Sequence, residues 1–119
     1  MPLLQFKSNI PRITEKDSDE IHQLCGQILS EELGKSIQYV MIALEFGKSL
    51  SFAGSLSEPC AYIEVKNVGA LLPEITSKIS LRLTELCTNK LNIVSSRVYI
   101  EFQQSERHMW GWNGSTFAR

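Results

Sequence analysis

Residues 21–44, IHQLCGQILSEELGKSIQYVMIAL, decide the fold because the pattern they carry occurs twice. Shifted by 58 positions they fall on residues 79–102, ISLRLTELCTNKLNIVSSRVYIEF: Ile21 on Ile79, Cys25 on Leu83, Ile28 on Leu86, Leu29 on Cys87, Val40 on Val98 and Ile42 on Ile100. In the first copy Ile21, Leu24, Cys25, Ile28 and Leu29 recur at spacings of three and four, the period of an amphipathic helix, which places a helix over Asp17–Leu33. Ser18 is the expected N-cap and Gly34 the stop. In the second copy Leu72, Ile75, Ile79, Leu83, Leu86 and Cys87 place a helix over Leu72–Leu91. Strands are expected at Pro2–Ser8, ended by Asn9-Ile10-Pro11, and at Gln38–Leu44, Cys60–Lys66 and Arg97–Gln103, with an irregular loop over Gly47–Glu58. The chain therefore reads as a tandem βαβ repeat of the α+β class. Right-handed crossovers then give a four-stranded sheet with both helices on one face.

The other face has no cover of its own. Val40-Met41-Ile42-Ala43-Leu44 is apolar at both parities, the mark of a strand covered on both sides, so a second copy of the chain is expected against the sheet. If Val98 and Ile100 face the helices, Tyr99 and Glu101 face that neighbour. At 119 residues the chain makes one domain, 1–119, and its net charge of −1 offers no attraction for nucleic acid or an anionic membrane surface. No run is long and apolar enough for a membrane span, and the N-terminus lacks the pattern of a secretory signal. Three cysteines, Cys25, Cys60 and Cys87, point to a reducing, cytoplasm-like compartment.

The chemistry is expected at the second residue. An initiator Met followed by a small residue such as Pro is normally removed, which would leave Pro2 with a secondary amine. An ordinary α-amino group titrates at about 7.7–8.0, close to the range in which a general base works best. Burial and a nearby cation would both push it lower. A lysine ~6 Å away at an effective dielectric of ~20 would contribute about 3 kcal/mol to that push.

Several stretches stand in order and at fixed spacing: MPLLQF at 1–6, NIPR at 9–12, GKSIQYV at 34–40, SFAGSLSEPCAYIEV at 51–65, NVG at 67–69, RVYIEF at 97–102 and GWNGSTFA at 111–118. Together they resemble the macrophage migration inhibitory factor family of the tautomerase superfamily. The resemblance implies a homotrimer with a site at each subunit boundary. It implies a keto-enol tautomerase acting on small aromatic α-keto acids such as phenylpyruvate, or on dopachrome-like compounds, with no metal or organic cofactor. Carried across residue by residue, Pro2 is the base and Lys35 binds the substrate carboxylate and keeps the amine's pKa low. Val68 offers its backbone amide, Tyr99 comes from the adjacent subunit, and Trp110 and Phe117 add apolar wall. The family also implies a rival role as a cytokine-like signal binding a protein receptor, reached by leaderless secretion, with the pocket secondary.

Two positions depart from the family pattern. Glu101 stands where the vertebrate factor has an asparagine, and a carboxylate there would repel an anionic substrate unless paired or protonated. In Cys60-Ala61-Tyr62-Ile63, Ile63 replaces the second thiol of a redox pair, which removes an oxidoreductase reading. His22 and His108 have no ligand-spaced neighbours, so no metal site is expected.

Overall fold

A computed structural model describes residues 1–118, and Arg119, the last residue of the expected domain, lies outside the described residues. The elements are β1 (Pro2–Ser8), α1 (Glu15–Leu33), a 3-10 turn (Ile37–Tyr39), β2 (Met41–Glu45), β3 (Ala61–Val68), α2 (Pro73–Leu91), a second 3-10 turn (Ser95–Arg97) and β4 (Val98–Ser105). A third 3-10 turn (Arg107–Met109) leads into a small hairpin of β5 (Gly111–Trp112) and β6 (Ser115–Thr116). The main sheet has the order β2-β1-β3-β4, with each outer strand parallel to its neighbour and the central pair antiparallel. This is the expected tandem βαβ sheet with two helices on one face.

The core forms where the alternating strand residues Leu4, Phe6, Ile63 and Val65 meet Ile21, Cys25, Leu29, Ile79, Leu83 and Cys87 of the helices. Burial raises the Cys25 and Cys87 thiols to about 12, with the neighbouring Cys87 adding to the shift at Cys25. Among the described residues, no helix is long and apolar enough to cross a membrane.

Local chemistry corrects the expected boundaries. α1 begins earlier than the periodicity suggested, because Thr14 caps it: its Oγ1 accepts the Asp17 N–H at 3.1 Å, while Ser18 donates its N–H to the Thr14 carbonyl from inside the first turn. α2 begins at Pro73, whose missing N–H is not needed at a first helical position, and Leu72 stands outside it, 48% exposed. The strand expected from Gln38 starts only at Met41, because Ser36 Oγ accepts the Gln38 N–H and winds Ile37–Tyr39 into a turn. Arg97, expected as a strand residue, ends the second 3-10 turn and is 7% exposed. Its guanidinium donates to the carbonyls of Phe52, Ser55, Glu58 and Pro59 at 2.8–3.2 Å and so holds the loop before β3.

The sheet face away from the helices carries three rows set by the register: Met41–Leu3–Lys66–Gln103, Ala43–Gln5–Glu64–Glu101 and Glu45–Lys7–Tyr62–Tyr99. Val40, Ile42 and Leu44 pack on the core, so the open face is apolar mainly at its margins, where Met41 is 66% and Tyr99 64% exposed. Its middle is polar.

Candidate functional site

Pro2 opens β1, a place where a residue without an N–H costs the ladder nothing. Its side chain is buried on the helix side, opposite Asn67. Asn67 is 2% exposed, and its Oδ1 is buried without a hydrogen-bond partner among the described residues. Such an acceptor costs about 1–3 kcal/mol, a cost concentrated beside Pro2. Met1 continues the strand: its carbonyl accepts the Val68 N–H at 3.3 Å. Burial first, and the Lys35 charge second, lower the Met1 amino group from its ordinary 8.0.

Lys35 reaches this place through the end of α1. Gly34 adopts the left-handed conformation (φ 64°) that a side chain would strain, and the chain reverses there. Ser30 then fixes Lys35 from both sides, accepting its N–H at 3.1 Å and donating Oγ–H to its carbonyl at 2.6 Å. The 3-10 turn that follows brings in Tyr39.

The C-terminal hairpin supplies the aromatic wall. Asn113 and Gly114 both have positive φ (52° and 83°), as a two-residue hairpin requires. The hairpin sets Trp112 edge-on to Tyr39 at 5.5 Å and stacks it on Phe117 at 6.1 Å. The Phe117 N–H donates to the carbonyls of Arg107 and Trp110 at 3.1 and 3.3 Å, which ties the tail down.

Two clefts result, each of about 390 Å³. One is lined by Met1, Lys35, Ser36, Tyr39, Val68, Gly69, Arg107 and Phe117. The other runs along Pro2, Leu3, Gln38, Val40, Met41, Trp110, Gly111 and Trp112, and again Met1 and Tyr39. Met1 and Tyr39 are the shared wall, so loss of Met1 opens one cleft toward the other. Lys35, Arg107 and the terminal amine bring positive charge to the first cleft, and among the described residues no carboxylate side chain lines it.

Of the expected site residues, Lys35, Val68 and Phe117 meet in the first cleft, and Pro2 and Trp110 in the second. Tyr99 and Glu101 lie elsewhere in the chain, on the open face of β4. Tyr99 belongs to the row at the opposite end of the sheet from Pro2 and packs on Phe52 at 4.9 Å. Glu101 is 3.0 Å from the Tyr62 hydroxyl, which also reaches Glu64 at 3.0 Å. Burial, followed by these two carboxylates, raises the Tyr62 hydroxyl to about 12. The sequence reading did not single out Tyr39, Trp112 or Arg107. The Asn113-Gly114 dipeptide was the available signal for the hairpin that places Trp112; Tyr39 was hidden by the strand expectation, and nothing local marked Arg107.

Together these features define an α+β fold with its first residues at the meeting point of two aromatic-walled clefts, the first of them flanked by Lys35 and Arg107. The sequence matches the family described as Macrophage migration inhibitory factor (MIF) over residues 1–118, and the chain belongs to that family, part of the tautomerase superfamily. It is 32% identical to the macrophage migration inhibitory factor homolog of Brugia malayi over 99% of this chain and 100% of that protein. The Rattus norvegicus factor is 30% identical over the same shares. Among solved structures, the homologue from Prochlorococcus marinus superposes with a TM-score of 0.88 at 34% identity, covering 98% of this chain and 99% of that one.

Proposed function

We propose that this chain, once Met1 is removed, is a keto-enol tautomerase for phenylpyruvate-type or dopachrome-type substrates, with the Pro2 nitrogen as general base. The observation that carries the reading is the terminal amine at the junction of the two clefts, depressed by burial and by Lys35. Pro2 lies deeper than Met1, so the same two causes would push its secondary amine down as well. That nitrogen takes the proton from the carbon beside the substrate's carbonyl, the electron pair moves onto the carbonyl oxygen, and the proton is returned there to give the enol. Lys35 holds the substrate carboxylate.

Removal of Met1 does a second thing. It takes away the carbonyl that accepts the Val68 N–H, and so frees that donor toward the cleft. Base and amide donor are uncovered by the same cut.

The assembly in this proposal is a homotrimer. Tyr99 and Glu101, which cannot reach Pro2 within one chain, would come from the neighbouring subunit, and the exposed Met41 and Tyr99 at the sheet margins would be covered. Replacing Pro2 by Gly in the trimmed protein is expected to lower phenylpyruvate enolisation by orders of magnitude with the circular dichroism spectrum unchanged; undiminished turnover would refute the assignment.

A second reading rests on the shared name of the relatives, which describes an effect on macrophage migration. In it the chain is a protein-binding signal. A folded Pro2→Gly protein that kept such an effect on cells would support it.

A further inference from the structure

Two basic side chains share the first cleft. Lys35 is half-buried at its floor, and Arg107 stands at its rim, tied to the aromatic wall because its carbonyl accepts the Phe117 N–H at 3.1 Å. Arg107 makes no ion pair or side-chain hydrogen bond among the described residues. Arg82, by contrast, meets Glu31 and Glu32 at 2.9 Å, and Arg97 is spent on loop carbonyls. The adjacent carboxylate, Glu106, is turned to His108 Nδ1 at 3.3 Å. Burial and Lys35 already lower the pKa of the terminal amine at the cleft.

A monocarboxylate needs one cation, and Lys35 suffices for it. A guanidinium left over, with a planar fork that fits a carboxylate in two-point contact, is matched by a second anionic group on the ligand. We propose that the cleft selects a doubly anionic α-keto acid, its keto-acid carboxylate on Lys35 and a second carboxylate, carried at the far end of an aromatic or similarly flat body, on Arg107. Catalysis of such a substrate rests on the function proposed above, whereas its binding does not. Arg107 is exposed, so the preference is modest and sensitive to salt.

The test compares phenylpyruvate with 4-carboxyphenylpyruvate on the trimmed full-length protein. At low salt the diacid is expected to have a kcat/KM about tenfold above the monoacid, the lower range for a charge-assisted contact. Arg107→Gln should cut the diacid about tenfold more than the monoacid, Arg107→Lys should fall between, and about 0.5 M salt should narrow the wild-type gap. Equal loss on both substrates, as follows if the guanidinium only braces the tail or pairs with Glu101 of another copy, would overturn the proposal, as would the absence of any preference in the wild type. If neither compound is turned over, the tautomerase reading fails by itself. Isothermal titration calorimetry then decides the binding claim: tighter diacid binding that Arg107→Gln abolishes supports it, and equal binding of the two compounds contradicts it.

Discussion

The two halves of the chain use one backbone device for opposite ends. Each helix stops at a left-handed residue, Gly34 (φ 64°) in the first half and Asn92 (φ 55°) in the second, 58 positions apart. In each a hydroxyl one turn back closes the reversal, Ser30 on the Lys35 carbonyl at 2.6 Å and Thr88 on the Ile93 carbonyl at 3.0 Å. The residue so presented is a half-buried lysine facing a cleft in one half and a fully buried isoleucine in the other. Five positions beyond the left-handed residue the contrast recurs. Tyr39 is 42% exposed beside Pro2's cleft, while Arg97 is buried and clamps a loop. The repeat fixes where a side chain is delivered, and the identity of that side chain decides between chemistry and stability.

Substitutions at matched positions test this contrast. The largest stability effect is expected at Ile93→Ala, which empties a sealed site and should cost about 3 kcal/mol in urea unfolding. Its counterpart, Lys35→Ala, should cost less than about 0.5 kcal/mol and act on function instead. It should raise KM for phenylpyruvate about tenfold. It also shifts the acid limb of the pH–rate profile, with a sign that follows from the charge. Lys35 disfavours the protonated amine, so its loss raises the pKa of that amine, and the limb moves to higher pH. An unmoved limb would mean that Lys35 does not act on the base.

Next in size is Arg97→Ala, which strands four loop carbonyls and should lower stability by about 2 kcal/mol, with faster amide exchange over residues 50–60. The smallest effect compares the two left-handed residues. Gly34→Ala places a Cβ in a conformation that disfavours it and should cost about 1 kcal/mol, whereas Asn92→Gly should be neutral to slightly stabilising. Equal costs would break the equivalence of the two turns.

Much of this architecture was legible in the residues. The 58-residue recurrence gave both helices and the outer strands, because core-facing side chains must repeat at the period of the element that buries them. Pro2 stood out by its position and Lys35 by the family resemblance, and the structure puts them at two adjoining clefts that share Met1. The ends of elements were not, since Thr14 and Ser36 act through single side-chain hydrogen bonds that leave no periodic trace. Arg97 was misread for a related reason: its partners are carbonyls more than thirty residues away in sequence. Trp112 meets Tyr39 only after the C-terminal hairpin folds back, and Arg107 joins Lys35 at one cleft across more than seventy residues of chain, long-range events that no local window records. Tyr99 and Glu101 lie apart from Pro2 within one chain.

The measurement that bears most directly on the account is phenylpyruvate enolisation by two preparations of the same sequence, one with Met1 retained and one with Met1 removed, each verified by intact mass. In the retained form the Pro2 nitrogen is an amide and the Val68 N–H is occupied, so the account predicts activity only in the trimmed form, rising with pH as the Pro2 amine loses its proton. Equal activity in the two preparations would contradict it.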